Sequence, residues 1–173
     1  MCHGKGRKMA KRVAYSAILI ALAMIFSYVE VLIPFHFGIP GIKLGLANLV
    51  VVMAIYILKP AQTLVISIAR IVLVSFLFGS MSSMLYSLAG GVLSFLVMLL
   101  LRKNKGFSVM GVSIAGGVSH NVGQLLVAAV VVENMSVFYY MPVLLVAGVV
   151  TGMLIGVVAK KVSMHLKFVS EYK

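Results

Sequence analysis

Six apolar runs, separated by short polar joints, follow one another along the 173-residue chain. They cover residues 13–33, 42–58, 61–78, 84–101, 107–132 and 141–159. A helix needs roughly 20 apolar residues, with a range of about 17 to 25, to cross the hydrocarbon core of a bilayer. Most of the runs have that length, although the second is short and the fifth is long. The pattern predicts an all-α membrane protein, a bundle of six transmembrane helices forming a single domain.

The basic residues are concentrated in alternate joints. They occupy the tail 1–12, Lys59, the joint 102–105 and the tail 160–173, whereas the joints 79–83 and 133–140 contain no Lys or Arg. The positive-inside rule therefore predicts that both termini lie in the cytoplasm. Lys43 and Arg70 do not follow this distribution, which makes them candidates for a functional role.

The composition agrees with a membrane protein. Hydrophobic residues make up 62% of the chain and charged residues 10%, against about 25% charged in a typical soluble domain. The net charge of +12 lies mostly in the joints, where it serves topology and contacts with anionic lipid, so it does not indicate nucleic acid. The first apolar run has no convincing cleavage site and is interpreted as a retained helix.

Small residues recur at the spacing of helix contacts. Gly148, Gly152 and Gly156 follow one another every fourth position in the last run, and Ala14, Ala17 and Ala21 mark one side of the first. Small side chains let helix backbones approach closely within a bilayer. We expect such stripes to serve packing within the bundle in the first instance.

The joint between the first two runs differs from the others. Residues 28–48 are apolar and aromatic, but prolines and glycines between 34 and 41 interrupt any helix. Non-helical backbone at membrane depth is tolerated where protein buries it or where it lines a cavity. We therefore expect this joint to fold inward as a gate over a binding site. The gate residues are Pro34, Phe35, His36, Phe37 and Pro40.

We expect polar side chains inside the predicted helices to line the binding site beneath the gate. Arg70 lies in the middle of the third run, and His120 lies at a similar depth in the fifth, with Asn121 and Gln124 expected on its side. A charge at that depth must face a cavity, water or a partner. The predicted substrate-binding residues are Glu30, Lys43, Asn48, Arg70, His120, Asn121 and Gln124. Their basic excess favours an anionic ligand such as a phosphate, a diphosphate or a carboxylate.

A purely structural interpretation explains the same residues. Glu30 would form an ion pair with Lys43 or Arg70, and His120 and Gln124 would form hydrogen bonds with neighbouring helices. Enzymatic chemistry is not indicated, because the chain contains no Asp, a single Cys and three widely spaced Glu residues. There is also no phosphate-binding loop of the ATPase type and no cluster at metal-ligand spacing. We therefore expect no catalytic residues, no metal and no cofactor.

Three stretches carry a family resemblance. KRVAYSAILIALA at 11–23, IPGIKLGLAN at 39–48 and SHNVGQ at 119–124 resemble the Gx transporter family, whose members are often named heptaprenyl diphosphate synthase component I. The resemblance covers essentially the whole chain, about residues 10 to 162. More broadly, the chain is similar to the substrate-binding S-components of energy-coupling factor (ECF) vitamin transporters.

The resemblance to S-components implies a six-helix bundle in the bacterial cytoplasmic membrane, with a pocket near the outer face. It implies that Ala14, Ala17 and Ala21 dock a transmembrane coupling protein driven by two ATPase subunits. We therefore expect the substrate-binding subunit of an ATP-driven importer for a small metabolite or vitamin. The synthase name fits poorly, because prenyl synthases bind diphosphate through aspartate-rich motifs. The alternatives are a non-catalytic accessory protein of isoprenoid or quinone metabolism and a small stand-alone transporter or channel.

Overall fold

The computed structural model describes residues 3–32, 46–104 and 106–171. Throughout these ranges the regular structure is helical, as the apolar runs predict, and no strand is present in them. The elements are α1 His3–Leu32, α2 Leu46–Ile57, α3 Pro60–Phe78, α4 Met81–Lys103, α5 Val109–Val132, a 3₁₀ helix Met135–Tyr140 and α6 Met141–Glu171.

Five of the helices, α1, α3, α4, α5 and α6, are long and apolar enough to cross a membrane. The described part of α2 has 12 residues and is shorter than a span. Large apolar side chains cover the outside of the bundle, and Phe76 and Val130 are each 75% exposed. Such a surface is unfavourable in water and suits hydrocarbon, so the chain is a helical membrane protein.

Most helix boundaries fall where the sequence places them. Pro60 occupies the first turn of α3, where its missing N–H has no helical partner to lose. The Ser80 hydroxyl accepts a hydrogen bond from the Ser83 N–H at the start of α4, and the Ser108 hydroxyl caps α5 through Gly111 in the same way. These caps explain why both helices begin immediately after short polar turns.

The first and last helices are longer than their apolar runs. The runs 13–33 and 141–159 predict spans of about membrane thickness, whereas α1 begins at His3 and α6 continues to Glu171. The added segments are rich in Lys, which is a good helix former. The basic tails are therefore largely helical extensions of the spans.

The six helices close into a ring in the order α1, α3, α4, α5, α6 and α2, and α2 also touches α3. The rings of Tyr28 and Phe78 meet with centroids 5.1 Å apart, so α1 and α3 finish at the same end of the bundle. We call this the loop end, defined by Tyr28 and Phe78. At the opposite end, called the terminus end, α2 and α4 finish and α3 and α5 begin.

Close glycine contacts hold α5 between α4 and α6. A Cβ atom at Gly117 would lie 2.6 Å from the Gly148 carbonyl oxygen, and one at Gly152 would lie 2.7 Å from Ile114 Cα. On the other side, a Cβ atom at Gly123 would lie 2.9 Å from Gly90 Cα. The expectation that the glycine stripe of the last span packs within the chain is confirmed.

The packed apolar core lies toward the terminus end. Its buried members come from four helices and leave almost no surface exposed. They are Val51, Val52, Ile55, Phe95, Met98, Val112, Ile155 and Ala159. Because α2 and α4 contribute residues mostly from their second halves and α5 from its first turn, this cluster forms an apolar floor beneath the middle of the bundle.

Arg102 links α4 to α2 at the edge of that floor. Its Nη1 donates a hydrogen bond to the Ile55 carbonyl oxygen, and its guanidinium lies 5.4 Å from the centre of the Tyr56 ring. The last carbonyls of a helix have no partner within the helix, and they favour a cation nearby. Arg102 therefore caps α2 from α4.

Candidate functional site

Arg70 lies in the middle of α3 and is the most unusual polar residue of the bundle. Its Nε atom is buried and has no hydrogen-bond partner among the residues that the structure describes. Glu30, near the loop end of α1, is the carboxylate that acts on it electrostatically. Because α1 packs directly against α3, the two charges compensate each other across one helix interface.

Arg70 and Glu30 lie at different heights in the bundle. Tyr28 and Phe78 mark one level through their ring contact. The Cα of Arg70, eight residues before Phe78, lies roughly 12 Å below that level at a rise of about 1.5 Å per residue. Arg70 and Glu30 therefore leave their helices at different heights. Of the two ion pairs that the sequence left open, only Glu30–Arg70 lies within the described residues, and the choice between them stays a prediction.

His120 and Gln124 face α4 together. A Cβ atom at Gly90 would lie 2.6 Å from the His120 carbonyl oxygen, 2.8 Å from Gln124 Cγ and 3.1 Å from His120 Nδ1. Glycine at position 90 therefore makes room for both side chains. Both residues are half-buried, and their spacing of four residues places them on one face of α5, as predicted.

Neighbouring glycines of α4 fix the relative depth of α3 and α5. Gly91 stands against Ile71, whose Cδ1 atom lies 2.6 Å from the position of a Cβ atom there. Gly90, one residue earlier, stands against His120. The turn of Arg70 and the turn of His120 are therefore at the same height on α4. The prediction that Arg70 and His120 share a depth is confirmed.

Asn121 does not join its neighbours on that face. Its Nδ2 atom donates a hydrogen bond to the Leu144 carbonyl oxygen of α6, with a length of 2.7 Å. Consecutive residues of a helix point about 100° apart, so His120 facing α4 directs Asn121 toward α6. The expectation that all three polar residues share one side is wrong for Asn121. A ligand contact of Asn121 stays a prediction, with its amide already bonded to α6.

Of the remaining predicted residues, four lie within the described ranges and the others do not. Asn48 is half-buried in α2, while Ala14, Ala17 and Ala21 are exposed on α1. Lys43 and the five gate residues lie outside the described residues, so the gate stays a prediction. The gate residues are Pro34, Phe35, His36, Phe37 and Pro40.

Three buried or bonded groups are not predicted from the sequence. The charge pattern predicts only a topology role for Arg102, which also caps α2. Ser94 and Ser113 are 1% and 0% exposed, and their hydroxyls find no partner in the described ranges. Both belong to helices that build the floor, and the sequence pattern does not distinguish them from ordinary packing serines. Within the described ranges, no group of three or more His, Cys, Asp or Glu side chains could hold a metal ion.

Comparison with known proteins gives one match. A family model described as heptaprenyl diphosphate synthase component I matches residues 19–162. Searches of the curated proteins and of the solved structures find no match. The matched range begins within α1 and ends within α6, so it includes every residue of the Arg70 and His120 levels.

Proposed function

The chain belongs to the heptaprenyl diphosphate synthase component I family, and from that premise we propose that it is the substrate-binding membrane subunit of an ATP-driven importer. The cargo is a small metabolite or vitamin. In this proposal six helices cross the bacterial cytoplasmic membrane with both termini inside, as in ECF S-components. The loop end then faces outward.

One observation carries the proposal: a half-buried Arg70, with a buried Nε atom, at the mid-height of a ring of helices and level with His120 and Gln124. The apolar floor closes the ring on the terminus side of this level. Intramembrane ionisable groups are expensive to keep and mark substrate pathways in membrane proteins. A polar level above a closed floor supports a pocket that opens toward the loop end.

The surface of α1 supports a membrane partner. Ala14, Ala17 and Ala21 are all exposed and follow one side of the helix, with Ala10 continuing the same stripe. A row of small side chains lets a second helix approach closely in lipid. In our proposal this row docks the coupling protein, and two ATPase subunits bound to that protein supply the energy.

The family name alone does not make this chain a synthase. Prenyl transfer uses carboxylates to hold Mg²⁺ on a diphosphate. The sequence contains no Asp, and Glu30, Glu133 and Glu171 are its only acidic residues. We therefore assign it a binding role without a catalytic step.

Affinity purification from the native membrane, with mass spectrometry of bound proteins and small molecules, tests the proposal. We expect a transmembrane coupling protein, two ATPase subunits and a small metabolite to be recovered with the chain. Ala17→Leu should reduce recovery of the coupling protein, whereas Ala61→Leu, at an exposed alanine of α3, adds the same bulk and should not. Recovery of neither partner nor metabolite would reject the proposal.

The family name favours one second candidate, a non-catalytic accessory protein of isoprenoid or quinone metabolism. The same purification distinguishes it, because that role predicts a copurified prenyl synthase and no ATPase subunits. A stand-alone transporter or channel predicts substrate flux in liposomes that contain the purified chain alone. The subunit that we propose should be inactive in that assay.

A further inference from the structure

We propose that the ligand of this pocket carries an oxyanion, that is, a phosphate, diphosphate or carboxylate group, and that it binds Arg70 by displacing Glu30. This inference rests on the proposed function for the existence of a ligand. It adds the chemical class of the ligand and the group that occupies its place beforehand. Glu30 is then a built-in substitute for the anionic part of the ligand.

The hydrogen-bonding state of Arg70 supplies the first argument. A guanidinium presents its Nε–H and an Nη–H as a fork that matches the two oxygens of a carboxylate or phosphate. The Nε atom is buried but unpaired within the described part of the chain. A structural ion pair optimised for stability would fill this fork, because an unpaired buried donor is costly. The open position fits an oxygen of a second anion.

The charge balance supplies the second argument. A cation in a bilayer interior requires a nearby counter-charge, and Glu30 provides one. One guanidinium compensates one negative charge well, and a second buried anion beside it would be poorly compensated. An incoming oxyanion therefore competes with Glu30 for Arg70 and does not simply add to it.

The position of Glu30 gives this exchange a structural consequence. Glu30 lies two residues from the end of α1, next to the Tyr28–Phe78 ring contact that joins α1 to α3. Displacing the carboxylate weakens the attraction between these two helices at the loop end. The exposed alanine row lies on the same α1 helix, so ligand binding can alter how α1 is presented to a partner.

Binding of simple anions to the purified chain in dodecyl maltoside, a detergent without phosphate, tests the inference. The probes are radiolabelled orthophosphate, inorganic diphosphate and succinate, measured by equilibrium dialysis. We expect at least one probe to bind and Arg70→Gln to weaken its binding at least about tenfold. Arg70→Lys keeps the charge but loses the Nε fork, and it should also weaken binding.

Glu30→Gln gives the distinguishing result. Removing the competing carboxylate should tighten probe binding by about tenfold, whereas a Glu30 that contacts the ligand directly would give weaker binding. Lys160→Gln is the matched control, because it removes an exposed cation at the far end of α6 and should leave binding unchanged. Absence of binding by every probe, or binding unaffected by Arg70→Gln, would overturn the inference.

Two further experiments control for folding of the variants and for the source of the anion. The double variant Glu30→Gln/Arg70→Gln removes both charges, so it should melt like the native protein by circular dichroism and bind no probe. Native mass spectrometry from phosphatidylglycerol nanodiscs tests a lipid headgroup as the source: a lipid held by the native protein and lost in Arg70→Gln identifies it. Probe binding without copurified ATPase subunits would reject the proposed function alone, and copurified ATPase subunits without probe binding would reject this inference alone.

Discussion

Arg102 of α4 and Ile55 of α2 are joined by a hydrogen bond from a guanidinium nitrogen to a backbone carbonyl oxygen near the end of α2. The bond links two residues that are 47 positions apart in the chain. It lies beside the apolar floor, to which Ile55 itself belongs. One side chain thus closes the end of a short helix and fixes that helix to α4, which is not its neighbour in the ring.

Removing this cap should destabilise the bundle. We expect Arg102→Gln to lower the free energy of unfolding by about 1 to 3 kcal/mol, the range for a buried carbonyl that loses a charged donor. Thermal melting followed by circular dichroism measures the change. Lys103→Gln is the control, because Lys103 is exposed in the same last turn of α4. Equal melting temperatures for the two variants would show that Arg102 serves topology alone.

Two glycine positions, one at the α5–α6 contact and one near the start of α5, predict opposite effects of substitution. Gly152→Ala places a methyl group 2.7 Å from the Ile114 backbone, so it should force the helices apart and cost about 1 to 3 kcal/mol. At Gly111 the nearest atom, Phe107 Cδ1, is 3.6 Å away. Gly111→Ala should therefore be neutral or stabilising by up to about 1 kcal/mol through helix propensity. Melting curves of the two variants give the comparison, and a stable Gly152→Ala would contradict this packing.

The sequence predicts most of the helices well because apolar length and helix caps are local properties. Pro60, Ser80 and Ser108 mark helix starts without help from the rest of the chain. The common depth of Arg70 and His120 also follows from counting residues along spans of similar length. These features depend on distance along the helix axis alone.

Which neighbour a side chain meets depends on helix rotation and on the order of helices in the ring. Asn121 was grouped with His120 and Gln124 by spacing, yet α6 lies on its side of α5 and accepts its hydrogen bond. Arg102 fits the positive-inside pattern, so the sequence gives no reason to predict its bond to Ile55. Both outcomes are set by contacts between distant segments, so no local pattern contains them.

Asn121 should behave as a structural residue toward α6. Asn121→Ala removes the hydrogen bond to Leu144, and bonds of this kind between membrane helices contribute about 0.6 kcal/mol on average and up to about 1.7. Ser119→Ala is the control, because the Ser119 hydroxyl donates to Ala115 of its own helix. We expect the melting temperature to fall for Asn121→Ala and to stay unchanged for Ser119→Ala. A loss of ligand binding in Asn121→Ala without any loss of stability would instead assign Asn121 to the pocket.

The adjacent glycines of α4, Gly90 and Gly91, allow a test of whether the position of His120 and Gln124 matters for ligand binding. Gly90→Ala would place a methyl group 2.6 Å from the His120 carbonyl oxygen, and that backbone atom can move only if α5 moves. Gly91→Ala would meet Ile71 Cδ1 at the same distance, but a terminal methyl of a side chain can rotate away.

Gly90→Ala should therefore shift His120 and Gln124 relative to α3 and lower ligand binding per folded molecule by roughly tenfold, about 1.4 kcal/mol. Gly91→Ala should bind like the native chain. The measurement is binding of the metabolite recovered with the native protein, normalised to the folded fraction from circular dichroism. The two substitutions are matched, because each adds one methyl group at neighbouring positions. Equal binding by the two variants would show that the position of His120 does not affect ligand binding, and Arg70 would remain as its main determinant.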